Sequence, residues 1–240
     1  MTCFIFGVSI FNAVLISVTL FERGIVKMEK AKRYVIFIIG LFINSLGVSL
    51  ITKADLGTSP ISSIPYVLSL NFPLSLGQFT VIFSLLLILL QFLMLRKDFN
   101  PEHLLQIPVS FAFGYFIDLC MSILSFVKPE FYLAKVIYLL IGCIILGVGV
   151  YTEVLANVVM LPGESFVRAV VYCIKSEFGV SKVAFDVSLA VIAGVISIVL
   201  TSSLAGVREG TIIAAILVGF IVRLMSKHCV FIKNMLFAAP

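Results

Sequence analysis

Residues 47–69, GVSLITKADLGTSPISSIPYVLS, interrupt an otherwise apolar chain. The apolar run from Tyr34 to Ile51 predicts a membrane helix, and charged, glycine and hydroxyl residues end it within a few positions. Ser59 and Pro60 then form a good helix start, because the serine hydroxyl can cap free backbone N–H groups and proline at the first helical position loses none. The sequence therefore predicts that a new, uncharged helix begins at Pro60.

This second helix is too short to cross a membrane. It contains Pro65 and ends near Phe72 and Pro73. At ~1.5 Å per residue its length is about 20 Å, whereas the hydrocarbon core of a bilayer is about 30 Å thick.

The composition predicts that the chain lies in a membrane. Of its 240 residues, 61% are hydrophobic and 12% are charged, and the mean hydropathy is +1.21. One soluble core cannot bury that much apolar surface, so we expect an all-α, polytopic membrane helix bundle whose partner is the lipid bilayer. The net charge of +5 comes from basic residues between apolar runs, which indicate orientation in the membrane and not nucleic-acid binding.

Residue patterns typical of enzymes and metal sites are missing from the sequence. Five cysteines are scattered without a Cys-x-x-Cys pair, and most lie in or beside apolar runs, where a thiol behaves as a small hydrophobic group. There is no Ser/His/Asp set, His-x-x-x-His, P-loop or Gly-x-Gly-x-x-Gly motif. We expect no disulfide framework, no metal, no cofactor and no enzymatic activity.

The beginning of the chain allows two interpretations. The apolar run at residues 3–21 lacks a preceding positive charge and an obvious cleavage site, so it could be an extra span. Alternatively, Met28 is the natural start and the first 27 residues are not native. Basic residues are densest between residues 22 and 34 and recur after Leu224, which predicts that both ends of the 28–240 core are cytoplasmic, with the protein in the cell inner (plasma) membrane.

An offset of roughly 100 to 105 residues brings the two halves of the chain into register. Glycines and prolines that break or pack helices meet in order: Gly47 with Gly147, Pro60 near Pro162, and Gly114 with Gly219. We therefore predict a first repeat at residues 34–127 and a second repeat with a short tail at 128–240, after an N-terminal segment and basic link at 1–33. Each repeat consists of a span, a short broken helix and two further spans.

The second short helix is predicted from Pro162 to about Phe178. Irregular backbone survives at membrane depth only where it is buried in protein or lines a wet cavity, so paired broken helices indicate a binding site between them. Alternatively, both helices lie at the membrane interface, which would suit Glu164 and Arg168 at i, i+4.

Two questions of topology stay open. Charge counting does not distinguish six spans with re-entrant short helices from eight crossing segments, although the tight turn at Pro73 and Leu74 favours eight. The repeats are either parallel or inverted. Asp118 and Arg223 occupy equivalent positions, so they could form an ion pair if the repeats are parallel and would lie in opposite leaflets if the repeats are inverted.

The stretches GVSLITKADLGTSPISS and AGVREGTIIAAILVGFI resemble the YitT/YczE family of bacterial membrane proteins. The first stretch is similar to that family's Leu-Gly-x-x-Pro pattern, and the second to its Gly-Thr-x-x-x-Ala-x-x-x-Gly helix. Two positions depart from the pattern: ANVVMLPGES stands where a second Leu-Gly-x-x-Pro is expected, and Phe220 stands where proline is usual. The resemblance implies a fold and a bacterial cell membrane, and it implies no substrate, because the family has no settled activity.

Polar residues at the helix breaks, or inside apolar runs, are the candidates for binding a substrate, since polar groups are expensive at membrane depth. They are Asn44, Asp55, Gly57, Thr58, Ser59, Pro60, Asp118, Glu153, Pro162, Gly163 and Glu164. Asp186, near the start of its span, can equally be a boundary residue.

Duplication with paired broken helices is typical of alternating-access proteins. We therefore expect a transporter or permease of an unidentified small molecule or ion, with its site between the two broken helices. The alternative is a membrane interaction or assembly protein, in which small-residue pairs such as Ser110/Gly114 and Ala215/Gly219 serve helix packing alone. The oligomeric state does not follow from the sequence.

Overall fold

The computed structural model describes residues 30–202, 204 and 206–228, and the expectations for the rest of the chain, including the apolar run before Met28, lie outside these residues. The described part is helical apart from its connections, which confirms the predicted all-α class. Its helices are α1 Lys30–Lys53, α2 Pro60–Asn71, α3 Leu76–Leu95, α4 Gln106–Ile123, α5 Tyr132–Ala156, α6 Pro162–Ile174, α7 Phe178–Thr201 and α8 Glu209–His228.

Six of these eight helices, all except α2 and α6, are long and apolar enough to cross a membrane. The short helices have 12 and 13 residues, which makes each of them only about 18 to 20 Å long. The interpretation with eight crossing segments is therefore wrong.

Local sequence signals explain where α2 begins and ends. The chain turns back after α1 through Asp55 and Gly57, which have φ angles of 57° and 112°, and only glycine adopts the second of these conformations without strain. Pro60 then opens the helix. Phe72 is extended because a proline follows it.

The bundle has two ends, which we call the near end and the far end. At the near end α1 begins and α5 finishes, and Arg33 Nη1 donates a 3.3 Å hydrogen bond to the carbonyl oxygen of Ala156. At the far end α1 finishes and α5 begins, and Lys135 forms an ion pair with Asp55. These contacts make α1 and α5 antiparallel.

Glycines allow the backbones of α1 and α5 to touch where the two helices cross. A Cβ at Gly47 would lie 2.5 Å from the backbone nitrogen of Leu146, and one at Gly149 would overlap the backbone of Asn44. Two further glycines do the same on either side, Gly40 against Glu153 and Gly142 against Ile51. At a spacing of 102 residues, the contact of Gly47 with Leu146 corresponds to that of Gly149 with Asn44, and the contact of Gly40 with Glu153 corresponds to that of Gly142 with Ile51. An inverted arrangement of the two halves requires such matching contacts.

The other helices pack in a reciprocal pattern. α2 of the first half packs against α7 of the second, and α6 of the second half packs against α3 of the first. Likewise α5 packs against α8, while α1 meets α4 through an edge-to-face contact of Phe42 and Phe116. This pattern is consistent with the internal repeat, which stays a prediction.

The parallel alternative and its ion pair are wrong. α1 and α5 run in opposite directions, and so do α4 and α8. Asp118 therefore lies toward the far end of α4, whereas Arg223 is exposed toward the near end of α8.

We expect Gly149→Ala to destabilise the protein, because the added methyl group would collide with the α1 backbone at Asn44. Such overpacking costs on the order of 1 to 3 kcal/mol, which should appear as a lower Tm of the purified protein in detergent. Gly194→Ala is the matched control, since its Cβ would meet only Leu204 Cδ2, at 3.8 Å. An equal Tm for the two variants would contradict the close crossing.

Candidate functional site: a cavity where the short helices meet

The first turns of α2 and α6 meet inside the bundle. The Ile61 side chain occupies the space where a Cβ of Gly163 would stand. Ser59, Pro60 and Pro162 are buried around this contact. The positive ends of both helix dipoles therefore point toward the same interior region.

A cavity of about 380 Å³ lies at this meeting point. The first turns of α2 and α6 line it, together with faces of α1, α3, α4, α5, α7 and α8, and most of its wall is apolar. Its polar lining consists of Asn44, Ser59, Ser62, Thr80, Ser84, Glu164, Lys182 and Asp186. This volume and this mixed lining are typical of a site for a small molecule.

Residues from α8 hold the start of α2 in place. The backbone N–H of Thr58 donates to Thr211 Oγ1 at 3.3 Å, and the Thr58 hydroxyl shares a 3.0 Å hydrogen bond with Thr52. The N–H of Gly210 donates to the carbonyl oxygen of Leu56 at 2.8 Å. These bonds satisfy backbone groups that would otherwise be unpaired in the bundle interior.

A buried amide cluster holds the start of α6. Gln91 Nε2 donates to the carbonyl oxygen of Pro162 at 3.1 Å, and Gln106 Nε2 donates to Ser165 Oγ at 2.9 Å. The Ser165 hydroxyl in turn donates to Gln91 Oε1 at 2.8 Å. All three side chains are buried, so helices α3 and α4 fix the position of α6 through hydrogen bonds.

The charged part of the cavity wall comes from α6 and α7. Lys182 Nζ lies 2.6 Å from Asp186 Oδ1, so these two charges neutralise each other. Glu164 has no hydrogen bond or ion pair with any described residue. It is the third residue of α6, where the helix dipole favours an acid without using the hydrogen-bonding capacity of the carboxylate.

A second carboxylate lies behind the wall. Glu153 is 7% exposed, and its Oε1 accepts a 2.8 Å hydrogen bond from Asn44 Nδ2. Asn44 itself lines the cavity. Among the described residues, no group of three or more His, Cys, Asp and Glu side chains is placed to hold a metal ion.

The structure brings some of the sequence-derived candidates to the cavity and places others elsewhere. Those on its wall are Asn44, Ser59, Pro60, Pro162, Gly163 and Glu164. Gly57 and Thr58 lie beside it and position α2. Their role as binding residues stays a prediction.

Asp55 and Asp118 are not part of the cavity. Asp55 lies at the far end with Lys135. Asp118 Oδ2 accepts a 2.6 Å hydrogen bond from the Ser75 hydroxyl, and its Oδ1 accepts a 2.8 Å bond from the N–H of Gly77. Asp118 thus caps the start of α3, which explains a carboxylate inside an apolar run.

Thr80, Ser84 and Lys182 on the cavity wall, and the amide cluster behind α6, were not among the sequence-derived candidates. Sequence signals exist for Lys182 and Gln106. Lys182 and Asp186 are four residues apart on one helix, a spacing that favours an ion pair. Gln106 stands 105 residues before Thr211, and each of them supports the start of a short helix.

These features define a polytopic membrane protein with six long helices and two half-length helices that meet at an internal cavity. Residues 31–227 match the model of a family of unknown function, DUF6198, and the chain belongs to this family. The predicted likeness to YitT/YczE-type proteins is confirmed.

Two proteins of Bacillus subtilis (strain 168) are similar to this chain. The uncharacterized membrane protein YczE is 27% identical over 210 residues, which cover 87% of this chain and 92% of YczE. The uncharacterized protein YyaS is 33% identical over 121 residues, which cover 49% of this chain and 57% of YyaS. No solved structure matches the chain significantly.

We expect Gln106→Leu to destabilise the protein, because it removes the hydrogen bonds that the Gln106 amide donates to Ser165 Oγ and Gln91 Oε1. Each hydrogen bond lost from the bundle interior costs about 0.5 to 1.5 kcal/mol. The cost of the double variant Gln91→Leu/Gln106→Leu should differ from the sum of its single changes, because Ser165 keeps one amide partner in each single variant and loses both in the double variant. Thermal unfolding of the three variants measures this coupling, and strict additivity would contradict a shared hydrogen-bond network.

Proposed function

We propose that the protein is a transporter or permease that carries a small solute across the cell inner membrane through the cavity between α2 and α6. The observation that carries this proposal is the meeting of two half-length helices, start to start, at an internal cavity. Broken helices of this kind present free N–H groups and dipole ends to a solute near the bilayer midplane.

The distribution of charge supports an orientation with the near end in the cytoplasm. Of the fourteen basic residues in the described part of the chain, ten belong to the near end and four to the far end. The four are Lys53, Lys128, Lys135 and Arg208. Cytoplasmic loops carry the excess of basic residues in membrane proteins, so both ends of the described bundle would be cytoplasmic.

The cavity wall fits a small solute with an apolar body and a cationic group. The apolar residues supply most of the contact surface. Glu164 supplies a carboxylate without a direct partner among the described side chains, whereas Lys182 is already paired with Asp186. The charges of Lys182 and Arg168 act on Glu164 without contacting it, and an ammonium group on the solute would give this carboxylate a direct ion pair inside the protein.

The assembly alternative requires that small-residue pairs such as Ser110/Gly114 and Ala215/Gly219 pack against other helices. The second of these pairs supports it less than the first. Gly114 packs closely against Gly77, as the alternative requires. A Cβ at Gly219 would meet nothing within 4 Å, and this glycine lines the cavity. Within the described bundle, Gly219 therefore contributes space and not helix contact.

Labelling of a single cysteine tests whether the cavity is accessible from each side of the membrane. Ser84 lines the cavity and is 7% exposed, so Ser84→Cys in a cysteine-free background should react with a charged, membrane-impermeant thiol reagent. A transporter exposes its cavity alternately, and we expect labelling from either side of oriented vesicles. Leu86→Cys, on the outer surface of α3, is the control and should stay unreactive because its thiol faces lipid.

The labelling pattern separates the two functions. Reaction of Ser84→Cys from both sides supports transport. Reaction from neither side would refute an accessible cavity and favour the assembly protein.

A matched set of probes tests the class of solute. Phenylethylamine, phenylpropionate and phenylethanol have similar apolar bodies and carry a positive, a negative and no charge. We expect the amine to raise the Tm of the purified protein most, since binding to the folded state stabilises it, and Glu164→Gln should remove this difference. A larger stabilisation by the carboxylate would contradict a cationic solute.

A further inference from the structure

At the far end, helices α3 and α4 are in close contact. A Cβ at Gly114 would lie 2.6 Å from the carbonyl oxygen of Gly77, so the two backbones touch. One turn further along α4, the carboxylate of Asp118 binds the Ser75 hydroxyl and the Gly77 N–H. Glycine contact and carboxylate cap together close the bundle between these two helices.

The corresponding place in the second half of the chain is open. Gly179 follows Gly77 by 102 residues, the spacing that separates Pro60 and Pro162. Gly219 is the counterpart of Gly114 in the proposed repeat. A Cβ added at Gly179 or at Gly219 would meet nothing within 4 Å.

The wider packing shows the same difference between the two halves. α3 and α4 form one of the most extensive helix contacts in the bundle, whereas the described residues of α7 and α8 hardly touch each other. The cavity reaches into this gap, because Phe178 at the start of α7 and Val222 on α8 both line it. The bundle is therefore closed between α3 and α4 at the far end and open between α7 and α8 at the near end.

The residues that cap the far-end contact have charged counterparts at the near end. At the same spacing of 102 residues, Ser75 corresponds to Glu177, which immediately precedes α7. Asp118 corresponds to Arg223 on α8. Glu177 and Arg223 are both exposed, and within the described structure neither forms an ion pair. Their opposite charges suit a direct contact between α7 and α8.

We propose that the protein has a second conformation in which α7 closes onto α8, Gly179 packs against Gly219, and Glu177 forms an ion pair with Arg223. This inference rests on the proposed transport function. In the second conformation the near end is closed, and the contact of Gly77 with Gly114 separates to open the far end. The cavity is thereby exposed to one side of the membrane at a time.

The contacts exchanged between the two conformations are of similar kinds. Opening the far end releases two hydrogen bonds to the Asp118 carboxylate, and closing the near end forms a salt bridge in which an arginine can bind a carboxylate with two parallel bonds. Each closure also brings two glycine-bearing helix surfaces together. Two states with balanced contacts can both be populated, and a solute or a mutation can shift their ratio.

Far-side labelling, in which the reagent is added on the side of the membrane that the far end of the bundle faces, reports the second conformation of the Ser84→Cys variant. Near-side labelling, with the reagent on the opposite side, reports the present conformation. Arg223→Glu places two carboxylates together, so we expect it to lower far-side labelling by about twofold to fivefold, the range for an exposed ion pair, while near-side labelling persists. The charge exchange Glu177→Arg/Arg223→Glu should restore far-side labelling. Lys227→Glu removes a basic residue from the same end of α8 and should have no effect.

A second variant tests the glycine contact and does not depend on charge. Gly179→Leu has room in the present conformation and lies outside the cavity lining but would block the approach of α7 to α8. Overpacking of this size should lower far-side labelling by about tenfold or more and leave near-side labelling and folded yield intact.

The outcomes distinguish this inference from the proposed function. If Ser84→Cys labels from both sides and neither Arg223→Glu nor Gly179→Leu changes the far-side rate, the α7–α8 closure is wrong and transport stands. A failure of the charge exchange to restore labelling would refute the Glu177–Arg223 pair. Absence of labelling from both sides in the parent variant would refute the transport function itself, and this inference with it.

Discussion

The close crossing of α1 and α5 is the contact on which the rest of the bundle depends. Gly47 and Gly149 let the two backbones touch, and this fixes the antiparallel relation of the two halves. Since each crossing helix is followed by a turn back into the bundle, α2 and α6 start at the same depth from opposite directions. The cavity is a consequence of this geometry.

Turning the chain back inside a membrane bundle leaves backbone groups that need partners, and the two halves solve this problem with different side chains. Thr211 on α8 accepts from the N–H of Thr58 before α2. Gln106 on α4 and Gln91 on α3 support α6 through Ser165 and the Pro162 carbonyl. The hydrogen-bonding side chains differ between the two halves because α2 and α6 meet as long as each helix starts at the corresponding position. The residue types that hold each start need not be the same.

The two halves also differ in how they line the cavity and in how tightly they close. Ser62, Thr80 and Ser84 give the first half an uncharged polar wall, whereas Glu164, Lys182 and Asp186 give the second half a charged one. The first half is closed between α3 and α4, and the second is open between α7 and α8. The two halves therefore have the same order of helices but differ in packing.

The sequence by itself determined the helical class, the break after α1 and the starts of both short helices at Pro60 and Pro162. These features follow from local chemistry, because a proline or a run of polar residues acts on the backbone around it. Only the tertiary structure decided that both short helices start inside the bundle, that the two halves run in opposite directions, and that Asp118 caps α3 instead of pairing with Arg223. The depth and partner of a side chain depend on which distant helix packs against it, and residue spacing along one chain does not contain that information.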